Sequence, residues 1–104
     1  MTIIECNRYG NEFCITSTGH AGFAPSGKDI VCAAISILLQ TLIVYTDARD
    51  YDIKEGQLWV HGKGDKAMAA YEFTLIGLHM LEVEYGDYVK VIEGCTINDS
   101  SPLV

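Results

Sequence analysis

Apolar and polar residues alternate twice near the start of the chain, over Ile3 to Asn7 and over Phe13 to Ser17. A period of two with β-prone residues predicts two strands. Between them stands RYGNE, whose Gly10-Asn11 pair suits a two-residue hairpin turn built on positive φ. That register sets Cys6 across from Ile15 and turns Cys14 to the other sheet face. The alternation stops at Gly19. Residues 19–28 hold three glycines, a proline and a serine, and read as a loop with enough backbone freedom to act as a lid. Apolar residues then crowd together from Ile30 to Val44. Asp29 is a favoured N-cap, and the helix it opens should run to about Asp47, where DARDYD ends it.

A second hairpin follows, with Tyr51 to Lys54 and Gln57 to His61 flanking Glu55-Gly56. HGKGD leads to a second helix, expected to be capped by Asp65 and to end near Tyr85 with Gly86 at the C′ position. Tyr88 to Glu93 reads as a last strand, and NDSSPLV as a loose tail. The order ββαββαβ predicts an α+β fold: a mainly antiparallel five-stranded sheet packed with two helices. At 104 residues the chain forms one domain, 1–104. The first helix is apolar nearly all round, and the second carries apolar residues on more than one face. One small sheet covers one side of each. A second copy of the chain is therefore expected to cover another.

Composition narrows the function. The hydrophobic fraction of 49 % argues against disorder, and a net charge of -7 disfavours direct binding to nucleic acid. No basic segment precedes an apolar one at the start, and Ser36, Gln40 and Thr41 break the longest apolar run. A cytoplasmic protein without a membrane anchor is expected, with reduced thiols. Cys6, Cys14, Cys32 and Cys95 show no ligand spacing, so no metal or other cofactor is expected.

The candidate chemistry sits where the loop meets the first helix. With Asp29 as cap, Cys32 is the third helical residue, close to free N–H groups and the positive end of the helix dipole. Reactive cysteines occur at such ends, although an ionised Asp29 opposes a second anion nearby. Asp29, Cys32 and Ser36 recur at i, i+3 and i+7 and share one helix face. His20 ends the preceding strand, and the loop can fold it back over that strip. His61 and His79 are rival partners, and Cys32 as a small core residue is the plainer alternative.

The stretch GHAGFAPSGKDIVCAAIS resembles the signature of the ribosomal-processing cysteine protease (Prp) family. The likeness runs in unbroken register through Gly19, His20, Ala21, Ala24, Gly27, Asp29, Ile30, Val31, Cys32, Ala33, Ala34 and Ser36, with Ile35 where the family often has valine. The resemblance implies that His20 and Cys32 form a catalytic dyad. Gly19, Asp29 and Ser36 fall on motif positions as supporting or substrate-positioning residues. Physically, Gly19 allows close backbone approach, Asp29 caps the helix and can orient His20 or a substrate amide, and Ser36 can donate a hydrogen bond. The helix-start N–H groups, that of Cys32 among them, are the natural oxyanion donors.

The implied activity is that of a cysteine endopeptidase. It would remove the N-terminal extension of a large-subunit ribosomal protein, number twenty-seven, during ribosome assembly, with the precursor as substrate and a homodimer as the assembly. Two alternatives remain at this stage: a non-catalytic ribosome-assembly interaction module, and a thiol hydrolase with another substrate.

Overall fold

The computed structural model describes residues 1–25 and 28–95. The loose tail expected over residues 98–104, and Ser26 and Gly27 of the expected lid, lie outside them. The elements are β1 (Thr2–Tyr9), β2 (Glu12–Thr18), α1 (Ile30–Thr46), β3 (Asp50–Lys54), β4 (Gln57–Lys63), α2 (Asp65–Glu84) and β5 (Val89–Cys95). This is the predicted α+β order. The sheet runs β3-β4-β2-β1-β5; every neighbouring pair is antiparallel except β1 with β5.

The first hairpin follows its sequence closely. Tyr9 pairs with Glu12 around Gly10, whose φ is +62°, and Cys6 faces Ile15. Ile4 and Cys6 of β1, Phe13 and Ile15 of β2, Leu58 and Val60 of β4 and Val89 and Val91 of β5 are buried on one side of the sheet. They join Val31, Ile35, Leu39 and Leu42 of α1 and Met68, Tyr71 and Leu78 of α2 in a single core. Phe13 stacks on Tyr71 with ring centroids 4.9 Å apart. Gly62 makes this stack possible, since a Cβ there would stand 2.7 Å from the Phe13 ring. The helices meet where Leu38 packs over Gly77, whose missing side chain lets the two backbones approach.

The second helix departs from expectation at both ends. Gly64 occupies the cap position and Asp65 is the first helical residue, with no side-chain cap bond. There Asp65 still favours the helix, as a negative charge at the positive end of the dipole. At the other end Gly86 does not adopt a left-handed conformation. The chain turns into β5 through Tyr85 instead, whose carbonyl accepts the N–H groups of Tyr88 and Val89.

Outward residues of both helices stay apolar. Ile37 and Val44 of α1, and Phe73, Ile76, Met80 and Val83 of α2, are 62–85 % exposed. On α2 they recur at i, i+3, i+7 and i+10, a stripe opposite the core. No helix among the described residues is long and apolar enough to cross a membrane.

His79 clamps α2 to β5. Its Nε2 lies 2.6 Å from Glu93 Oε2 and its Nδ1 3.4 Å from Glu82 Oε1, while Glu82 Oε2 accepts the Val91 N–H at 2.8 Å. The bond to Glu93 holds the imidazole above its ordinary range; partial burial opposes this and Glu82 adds to it. A group raised on folding stabilises in full below its unfolded pKa, and the contribution is lost as pH rises through the folded value. His79→Gln should therefore lower the thermal midpoint by a few degrees at about pH 6 and by much less at about pH 9. Scanning calorimetry of both proteins at the two pH values checks this.

Candidate active site

His20, Cys32 and Ser36 line one cleft of about 250 Å³, bounded by the end of β2, the face of α1 and the β3–β4 turn. Three local features build it. First, β2 ends at Thr18 and Gly19 turns the chain with φ +89°. A Cβ at Gly19 would stand 2.6 Å from the Met1 carbonyl oxygen, so glycine is required there for space as well as conformation. Second, Asp29 caps α1. Its Oδ1 accepts the N–H groups of Val31 and Cys32, each at 3.0 Å. Its Oδ2 accepts those of Phe23 at 3.0 Å and Ala24 at 3.4 Å. Third, the Phe23 ring packs edge-on against Tyr85 and Tyr88, with centroids 5.5 and 5.2 Å away. The described part of the expected lid is thus tied to the helix start through its backbone and to the α2–β5 junction through a side chain.

This cradle brings the buried Ala21 next to the sulfur: its N–H donates to Cys32 Sγ at 3.3 Å. The Cys32 N–H holds the Asp29 carboxyl below its ordinary range, helped by the N–H groups of Ala24 and Phe23 and the Cys32 side chain, with desolvation opposing. The helix-start donors expected to face an oxyanion are therefore committed elsewhere. Val31 and Cys32 give their N–H groups to the Asp29 side chain, and Ala33 gives its own to the Asp29 carbonyl at 3.1 Å.

Asp29 does not bond to His20. Among the described residues the exposed His20 makes no hydrogen bond or ion pair. Ser36 lies one turn beyond Cys32 in the cleft. The rival histidines are placed elsewhere. His61 bridges Glu12 at 2.8 Å and Asp50 at 3.3 Å, and His79 is the clamp on β5. Among the described residues no group of three or more His, Cys, Asp or Glu is arranged to hold a metal ion.

Sequence reasoning missed the β3–β4 turn. Lys54, Glu55, Gly56 and Gln57 line the cleft opposite Cys32. They arrive there because β4 pairs with β2, setting Gln57 beside Thr18. Nothing local to either segment signals that pairing; only the two hairpins and their matching lengths hint at it.

A model of the family described as cysteine protease Prp matches residues 1–90. Among solved structures, the S. aureus ribosomal processing protease Prp with a covalently linked product peptide is similar at TM-score 0.80 and 21 % identity, covering 90 % of this chain and 100 % of that one. The same S. aureus protease with a substrate peptide gives TM-score 0.74 and 20 % identity, covering 90 % and 100 %. A Streptococcus mutans protein gives 0.70 and 24 %, covering 92 % and 96 %. At these identities the likeness shows a shared fold. No curated protein sequence matches the chain.

The three described cysteines differ in environment. Burial, with Glu93 nearby, pushes the Cys6 thiol up to about 12, and Cys14 sits on the opposite side of the sheet from the cleft. Brief iodoacetamide treatment near neutral pH should label Cys32 ahead of Cys6 and Cys14, read by peptide mapping.

Proposed function

The chain belongs to the cysteine protease Prp family, and on that premise we propose that it is an endopeptidase with His20 and Cys32 as its catalytic pair. The substrate proposed is the precursor of large-subunit ribosomal protein number twenty-seven, cut to remove its N-terminal extension during ribosome assembly in the cytoplasm. The observation that carries this reading is the shared cleft. One imidazole and one thiol line it, the thiol at a capped helix start with a backbone N–H directed at its sulfur. The S. aureus relatives hold a substrate peptide and a covalently linked product peptide, which supports a peptide occupant for the corresponding cleft here.

The reaction follows from these groups. His20 takes the Cys32 proton, and the thiolate attacks the scissile carbonyl carbon. The tetrahedral adduct collapses as the imidazolium gives its proton to the leaving amine, which departs as the new N-terminus. A water molecule, deprotonated by His20, attacks the thioester. The carboxylate product leaves and Cys32 recovers its proton. The Ala21 N–H stabilises the sulfur anion before attack. Among the described residues His20 makes no hydrogen bond, which fits a base that engages fully only when substrate is present.

Incubating the protein with the host's precursor and reading the products by mass spectrometry tests the reading. One cut near the N-terminus is expected. Cys32→Ala and His20→Ala should each reduce cleavage to background with nearly unchanged thermal midpoints, since His20 is exposed and Ala is close in size to the partly buried Cys32. An active Cys32→Ala protein would overturn the proposal.

The assembly proposed is a homodimer. The outward stripe of Phe73, Ile76, Met80 and Val83 is a row of large apolar side chains left exposed on one helix face, the kind of surface that a partner covers. A two-fold axis lets such a face cover itself, burying on the order of 1,200–2,000 Å². Sedimentation equilibrium at micromolar concentration should give twice the chain mass of 11.4 kDa. Ile76→Asp should shift it toward the monomer, and a wild-type monomer at high concentration would refute the dimer.

A further inference from the structure

A general base must be held at its nucleophile, yet His20 has no hydrogen-bonding partner among the described residues. The exposed ring lies beside the β3–β4 turn. Gly56 has φ +73°, and a Cβ built on it would stand 3.2 Å from His20 Nε2 and 3.8 Å from Cδ2 and Cε1. The tip of the imidazole thus points at the bare Cα of Gly56. The same glycine's carbonyl accepts the Gly19 N–H at 2.8 Å, which ties the turn to the residue before His20.

We propose that Gly56 is a positioning residue for the reaction: its empty side chain forms the seat on which the His20 imidazole rests, while its carbonyl fixes the backbone that presents the ring. The inference rests on the protease reading of the cleft and adds the β3–β4 turn to its machinery. Lys54 and Glu55 are the charged residues of this turn that face the cleft.

The geometry makes a selective prediction. At 3.2 Å an added Cβ is tight, and the neighbour that must give way is an exposed ring, not the core. The fold should survive while the base moves by a few tenths of an ångström. Gly10 supplies the control, since it has φ +62° in the other hairpin and open space where its Cβ would lie. Asparagine tolerates left-handed backbone better than other residues, so Gly56→Asn and Gly10→Asn carry similar backbone cost and differ in the clash.

Three measurements decide the matter. In the wild-type protein, nuclear Overhauser contacts between the His20 ring protons and the Gly56 α-protons are expected; their absence overturns the seat without any variant. Gly56→Asn should shift the His20 ring resonances and lower kcat for the precursor peptide roughly tenfold, with KM within about twofold, whereas Gly10→Asn should change neither. Unmoved ring resonances, or a kcat equal to that of Gly10→Asn, overturn the proposal. A wild-type protein that cleaves no precursor refutes the protease reading by itself. The seat is then judged by the ring resonances and by the pH profile of Cys32 alkylation, which Gly56→Asn must alter and Gly10→Asn must not.

Discussion

The cleft depends on one carboxylate. Asp29 gathers four backbone N–H groups, two from the start of α1 and two from the loop that follows His20. A cap ordinarily satisfies only the helix. Here the second oxygen folds the loop onto the helix end, which brings Ala21 within hydrogen-bonding distance of Cys32 Sγ. The charge of Asp29 is met by N–H dipoles, and the sulfur accepts the N–H of Ala21.

His20 is held by a different kind of force. Where Cys32 is fixed by short-range capping, His20 is fixed by the meeting of two hairpins. The pairing of β2 with β4 sets Thr18 beside Gln57, and Gly56 receives both the Gly19 N–H and the imidazole tip. Cys32 and His20 thus belong to two independently organised pieces, a capped helix and a sheet edge, and their sharing of one cleft depends on how those pieces meet. Glycines appear where these pieces touch: Gly19 against Met1, Gly56 against His20, and Gly77 under Leu38. At each contact a Cβ would be tight or would clash, so the tolerance for substitution is set by packing.

The outer surface of the helices follows another logic. Cys32 lies on the side of α1 that meets the cleft, while Ile37 and Val44 of α1 and the Phe73–Val83 stripe of α2 are exposed. The His79 clamp to Glu93 ties the same helix to β5.

Most of the fold was legible in the chain because its elements are locally encoded. Asp29 caps where capping chemistry predicts, Gly10-Asn11 turns where a hairpin needs positive φ, and Cys6 faces Ile15 because a period of two admits no other register with both buried. The helix period likewise put Asp29, Cys32 and Ser36 on one face, whereas the pairing of His20 with Cys32 came from the family resemblance and not from spacing. Local encoding failed at α2, where Asp65 and Gly86 have good terminal chemistry but the tertiary path through Gly64 and Tyr85 set the ends. It failed again at the helix-start N–H groups, which free spacing offered to a substrate and Asp29 claims. The parallel pairing of β5 with β1 and the arrival of Gly56 at His20 were decided by tertiary structure alone. Both join segments far apart in sequence, and such contacts form only where the closure of long loops is repaid by a shared core.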